Sequence, residues 1–237
     1  MKINGYLDGK INQLKYIILL THISILLANS NKPQQHEIWW QQNLNTQTML
    51  NTFQNWLGNC DAASRCKART HIMKHGYKSI LDAGCGLCTE LDGYAKANYP
   101  IEYIGIDITK RLVEMAKEQG INCLHASIEA IPLTDNQVDI VYIRHILEHL
   151  SYYQQALQEA IRCASKEVLV IFFMPPDNNP EAISYEKDNG YYLYHNKYNL
   201  NSLEAFIKNN KKVDHIFGEK VSSSETILHI MLKHSTQ

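Results

Sequence analysis

The residues best placed to do chemistry in this chain of 237 begin with Asp82-Ala83-Gly84-Cys85-Gly86, followed further on by Asp107 at the end of YIGID. Glycines in such a turn let the backbone bend sharply and approach a ligand closely, because no Cβ stands in the way. A helix starting directly after the turn would offer unpaired N–H groups to a carboxylate or phosphate. An acid at the end of the next strand can accept from both hydroxyls of a ribose. A dinucleotide would want G-x-G-x-x-G, yet position 89 is Thr89, so the third glycine is missing. Asp82, just ahead of the glycines, opposes a pyrophosphate. It suits an amino-acid moiety whose ammonium needs a nearby negative charge, bridged by water.

A second group, His145-Ile146-Leu147-Glu148-His149, spells H-x-x-E-H. On a helix, two His one turn apart can bind zinc while Glu activates water, as in a metalloprotease. A third ligand would have to come from Glu181, Glu186 or Glu204. A third group, Cys85 and Cys88, is a C-x-x-C. Zinc would need a second short-spaced pair, which Cys60 and Cys66 do not supply, so no metal is expected. The scattered six cysteines suit reduced thiols.

These groups need elements to hold them. From Ser79 to Phe173 strand and helix patterns alternate: strands at Ser79–Ala83, Glu102–Ile106, Asn122–His125, Val138–Ile143 and Val168–Phe173, with helices at Leu87–Ala97, Thr109–Gln119 and Tyr152–Cys163. Alternation of this kind implies a parallel sheet, and VLVIFF reads as a buried central strand. A helix over Leu200–Lys208 and strands over Lys212–Phe217 and Thr226–Leu232 complete the series; two final strands with no helix between them suggest an antiparallel edge. Helical spacing over Gln34–Leu57 and Ala62–Lys74 puts two helices ahead of the first strand. The long insertion Pro175–Tyr198 reads as irregular, with Tyr191, Tyr192, Tyr194 and Tyr198 as a possible lid.

LDAGCG resembles the first motif of the class I S-adenosylmethionine-dependent methyltransferases. The likeness continues in order through IEAIPLTDNQVDIVYIRHILEHL and LYHNKYNLNSLEAFIKN, which are similar to the fourth-strand region and the segment after the fifth strand in the small-molecule subgroup. The resemblance implies an α/β, Rossmann-like doubly wound sheet of seven strands, mostly parallel with an antiparallel edge strand, plus N-terminal helices. It also implies methyl transfer from S-adenosylmethionine to a small-molecule acceptor that it does not identify. Asp82, Gly84, Cys85 and Gly86 would surround the methionine part, Asp107 with Ile108 beside it would serve the ribose, and Ser127 with Ile128 would flank the adenine. His145 would be the base if the acceptor must lose a proton, with His149 as a substitute. Arg144 could instead anchor an acidic substrate. Cys88 and Ser127 depart from the family, which often has glycine and aspartate there; a non-catalytic relative that only binds the cofactor is the alternative.

Lys and Arg total 23 against 24 Asp and Glu, a formal net charge of −1, so no bulk positive field invites nucleic acid. The short KNNKK run at Lys208–Lys212 reads as a solvated helix end. Tyr16–Ala28 is an apolar stretch preceded by Lys10 and Lys15 and followed by small residues. Three readings stay open for it: a signal peptide, a membrane-surface anchor, or a start placed upstream of the true one. Export would conflict with a cytoplasmic cofactor. The expected organisation is thus a hydrophobic segment over 1–30, a helical cap over 31–76 and a methyltransferase domain over 77–237.

Overall fold

A computed structural model of the chain describes residues 35–43, 51, 58–188 and 191–233, which belong to one compact unit starting at Gln35. The apolar stretch over 16–28 lies outside the described residues. Among the described residues no helix is long and apolar enough to cross a membrane.

Among the described residues two helices, α1 (Gln35–Asn43) and α2 (Ala63–Lys74), precede the sheet. The helix expected over Gln34–Leu57 is described as far as Asn43 and at Asn51, and the rest of it falls outside the described residues. The alternating core follows as β1 (Ser79–Ala83), α3 (Thr89–Lys96), β2 (Glu102–Asp107), α4 (Lys110–Glu118), β3 (Cys123–His125), β4 (Val138–Arg144), α5 (Gln154–Cys163) and β5 (Ala164–Phe172). A hairpin, β6 (Tyr185–Asp188) and β7 (Tyr191–Tyr194), then leads to α6 (Leu200–Lys208), β8 (Val213–Lys220) and β9 (Thr226–Leu232).

Seven strands form one sheet in the order β3-β2-β1-β4-β5-β9-β8. The first five are mutually parallel, β9 runs antiparallel to β5, and the edge strand β8 is antiparallel to β9. This is the doubly wound, mostly parallel sheet with an antiparallel edge that the strand count implied. Its two faces follow the period-two rule for strands. Leu81, Val141, Ile143, Val168 and Val170 pack with Leu157 and Ile161 of α5 and Leu203 and Ile207 of α6. Ile80, Ile140, Tyr142, Leu169 and Ile171 pack with Ile72 of α2, Tyr94 of α3 and Val113 of α4. Helices thus cover both faces, which is why β4 and β5 can be apolar on both sides.

Chain order reverses at β1, with β2 on one side and β4 on the other. In open α/β sheets ligands bind outside the carboxyl ends of the strands at such a switch point. Asp82–Gly86, Asp107 and His145 lie at or just beyond the carboxyl ends of β1, β2 and β4, at that edge. The insertion is more ordered than its composition suggests: Tyr185–Asp188 pairs with Tyr191–Tyr194, and Ala182 bridges Lys197. The KNNKK run is also engaged. Lys208 pairs with Glu204 at 2.6 Å, and the Lys212 ammonium donates to the carbonyls of Ile161 at 2.6 Å, Arg162 at 3.1 Å and Ala164, closing the end of α5.

Candidate cofactor and acceptor site

The turn after β1 is built by its glycines. Gly84 has φ +81° and Gly86 φ +54°, both in the left-handed region, and a Cβ on Gly84 would collide with the Ile146 side chain. The Gly84 and Cys85 amides both donate to the Ile106 carbonyl, at 2.8 and 3.0 Å, which fixes the turn against β2. Cys88 occupies the residue before α3 with φ +57°, a conformation that favours glycine, so its departure from the family pattern is accommodated with backbone strain.

Asp107 is held by two backbone donors, the Gly86 amide to Oδ2 at 2.9 Å and the Thr109 amide to Oδ1 at 2.8 Å. A carboxylate oxygen has two lone pairs, so each keeps one for a further donor. Burial pushes its pKa up, and the Thr109 and Gly86 hydrogen bonds offset part of that. Asp82 is also buried and accepts from the Tyr103 hydroxyl at 2.8 Å. Burial first, then the neighbouring Glu90, lift its pKa to about 8. Glu90 lies beneath the turn, paired with Arg65 and accepting from the Tyr142 hydroxyl at 2.7 Å.

These residues line one cavity of about 920 Å³. Asp82, Gly84, Cys85, Gly86, Asp107 and Ile108 line it on the β1–β2 side, Ser127 and Ile128 follow β3, and His145 follows β4. Every site residue singled out from the sequence therefore faces a common space. The Ser127 hydroxyl accepts from the Glu129 amide at 3.2 Å and retains a second lone pair.

The other half of the wall is aromatic. Trp40 stands edge-on to His149 at 5.2 Å, Phe173 lies 5.2 Å from His145 and 5.3 Å from His149, and His195 is 5.4 Å from His149. Trp39, Leu193 and the acids Glu37 and Glu186 complete it. Their sources are α1, the β4–α5 connection, the residue after β5, and the β6–β7 hairpin with the residue after it.

The zinc-protease reading of H-x-x-E-H fails on geometry. That pattern needs a helix to stack two His one turn apart, whereas His145 has φ +57° and Leu147–His149 is a single 3₁₀ turn. Glu148 is fully buried and its Oε1 accepts from the amides of Phe173 at 2.7 Å and Met174 at 3.3 Å, so it braces the end of β5 rather than facing water. The His149 ring donates from Nδ1 to the Tyr194 carbonyl at 2.7 Å, tying the turn to β7.

His145 has a partner that the sequence did not reveal. Its Nε2–H donates to Glu225 Oε1 at 2.9 Å, which leaves Nδ1 as the unprotonated nitrogen. The same Glu225 oxygen accepts from Ser64 at 2.8 Å and Arg144 at 3.1 Å. Burial, then Arg144, hold His145 down at about 4 against the pull of Glu225, so the ring is neutral at pH 7. Arg144 is committed to Glu225 and Ser64, which weakens its case as an anchor for an acidic substrate.

A glycine turn at the first parallel strand and an acid closing the second, on a sheet with this strand order, define a nucleoside-binding domain of the doubly wound class. Residues 81–172 match the family model described as "Methyltransferase domain", the stretch over which the sequence resembles the class I S-adenosylmethionine-dependent methyltransferases. It is 36% identical over 91 residues, 36% of its length, to an uncharacterized 37.1 kDa protein of transposon TN4556 from Streptomyces fradiae. It is 30% identical over 108 residues, 41% of its length, to the uncharacterized methyltransferase YcgJ of Bacillus subtilis strain 168. The matched stretches span 26% and 42% of those two relatives. In fold it is similar to the 1,6-didemethyltoxoflavin-N1-methyltransferase of Burkholderia thailandensis, solved with 1,6-didemethyltoxoflavin and S-adenosylhomocysteine bound. There the TM-score is 0.60 at 11% identity, over 86% of this chain and 92% of that one.

Proposed function

We propose that the protein transfers a methyl group from S-adenosylmethionine to a small, flat, largely apolar acceptor. The observation that carries this reading is the division of one cavity of about 920 Å³ into a glycine-and-carboxylate half and an aromatic half. That volume is at the upper end of ordinary small-molecule sites, roughly 300–1,000 Å³, and suits two ligands side by side. S-adenosylmethionine supplies an already activated methyl group on a sulfonium centre. What remains for the protein is to position the acceptor and exclude water.

In this reading Asp107 uses its two remaining lone pairs for the ribose hydroxyls, and Ser127 and Ile128 flank the adenine. Asp82 faces the ammonium of the methionine part, and Arg65, paired with Glu90, lines the same cavity. Trp39, Trp40, Phe173 and His149 sandwich the acceptor; offset and edge-on ring contacts favour a planar partner. If the acceptor loses a proton, His145 takes it at Nδ1 while Glu225 steadies the ring from Nε2. With its pKa near 4 the imidazole is a weak base, so positioning contributes more than proton transfer. The 1,6-didemethyltoxoflavin bound by the Burkholderia enzyme is a small molecule, which accords with this class of acceptor.

Calorimetric titration with S-adenosylmethionine and S-adenosylhomocysteine tests the reading. Saturable one-to-one binding of both is expected; binding of neither overturns it.

A further inference from the structure

Beneath the cofactor turn, on its protein side, three thiols converge. We propose that Cys85, Cys88 and Cys123 form a binding site for one soft, thiophilic metal ion, separate from the methyl-transfer chemistry. The Cys85 sulfur lies 3.5 Å from that of Cys123 and 3.6 Å from that of Cys88, and all three sulfurs lie within 4.8 Å of one another. Sulfurs bonded to a common ion at about 2.3 Å sit about 3.8 Å apart at the tetrahedral angle, so the trio is already close to coordination geometry. Thiolate sets of this kind select soft ions over magnesium or calcium.

Two features mark the trio as built for more than packing. Gly105 on β2 leaves the space the Cys85 thiol fills, since a Cβ there would stand 2.9 Å from its sulfur. Cys88 holds its sulfur in place at a left-handed φ of +57°, where glycine would be unstrained. The sulfurs come from the turn after β1, the residue before α3, and β3, so an ion would cross-link three elements. All three are buried free thiols. The Cys88 S–H donates to the Cys85 sulfur, and Cys85 and Cys123 share one S–H···S hydrogen bond, so the three sulfurs already face one another. Binding a divalent ion forms three metal–sulfur bonds and releases the protons of the thiols to the buffer; no oxidant or reductant is involved.

The C-x-x-C of Cys85 and Cys88 lacked further ligands in the sequence because the third lies 38 residues from Cys85, on a strand. His71, Glu167 and His229 also converge. There the Glu167 carboxylate is already filled by His71, His229 and Tyr77, so that group reads as a hydrogen-bond network.

Cadmium is the probe. Reduced full-length protein titrated anaerobically with Cd²⁺ is expected to develop sulfur-to-cadmium charge-transfer absorption that saturates at one ion per chain and raises the melting temperature. Cys123→Ser and Cys88→Gly should each weaken binding by about tenfold or more, since even a hydrogen-bond partner of a ligand is worth that much. Cys88→Gly is chosen because glycine fits the local backbone, so this variant keeps the fold while removing a sulfur. Cys60→Ser and Cys163→Ser should bind like the parent. Absence of the band, a band unchanged in Cys88→Gly, or a Cys85–Cys123 disulfide found in place of the thiols would each overturn the proposal.

Discussion

In the proposed reading Asp107 and Asp82 divide the work of holding one cofactor, and their environments make different predictions. Asp107 is braced by two amides, so removing its carboxylate deletes acceptors without releasing the turn's own bonds to Ile106. Losing two charge-assisted hydrogen bonds of about 1.5–3 kcal/mol each should weaken S-adenosylmethionine binding by at least about 100-fold in Asp107→Ala, as calorimetry would read. Asp82, with a pKa near 8, is mostly protonated at pH 7, and a bound ammonium favours its charged form. Binding should therefore release a proton at pH 7 and tighten as pH rises towards 8. Titration in buffers of differing ionisation enthalpy should detect that proton, and Asp82→Asn should abolish it. Both acids were legible in the sequence because each sits at a strand end beside glycines or a second strand, a local pattern. Glu225 was not: its link to His145 spans 80 residues, and nothing in SSSET marks it. H-x-x-E-H, the less favoured zinc reading, presumes a helix that the positive φ of His145 forbids.

Elements were read best where apolar periodicity was strong and chain-local. Ser79–Ala83, Leu200–Lys208 and Thr226–Leu232 have the boundaries read from the sequence. The fifth strand begins at Ala164, directly after α5, because Lys166 and Glu167 are carried into the sheet by polar partners: Lys166 paired with Asp139 at 2.9 Å, and Glu167 hydrogen-bonded to His229 at 2.7 Å. Polar letters there hid the strand's start. The hairpin inside the insertion was also missed, although Asn189-Gly190 between the paired Asp188 and Tyr191 is a strong two-residue turn signal. Lys212 carries an element-scale prediction. Its ammonium closes the end of α5, where cations are favoured, so Lys212→Met should lower stability by about 1–2 kcal/mol in urea unfolding while leaving cofactor affinity unchanged.

At the scale of the molecule, α2 is tied to its neighbours through carboxylates: Arg65 to Glu90 of α3, Ser64 to Glu225 just ahead of β9, and His71 to Glu167 of β5 at 2.8 Å. Burial raises the Glu167 pKa, but hydrogen bonds from His229 and His71 outweigh it and hold the group at about 2, against an ordinary value of 4.5. A depressed acid stabilises the fold fully above its ordinary pKa and loses that contribution as pH falls towards the folded value. The stability gap between the parent and Glu167→Gln should therefore be largest near pH 6 and shrink between about pH 5 and pH 2, as urea midpoints across that range would show. The cavity's two walls come from different parts of the chain. In the proposed reading the β1–β3 turns build the donor side, and α1 with the β6–β7 hairpin builds much of the acceptor side. Substitutions in the hairpin leave the glycine turn and its acid untouched, so on that reading the acceptor preference of such a fold can change while its donor site is inherited unchanged.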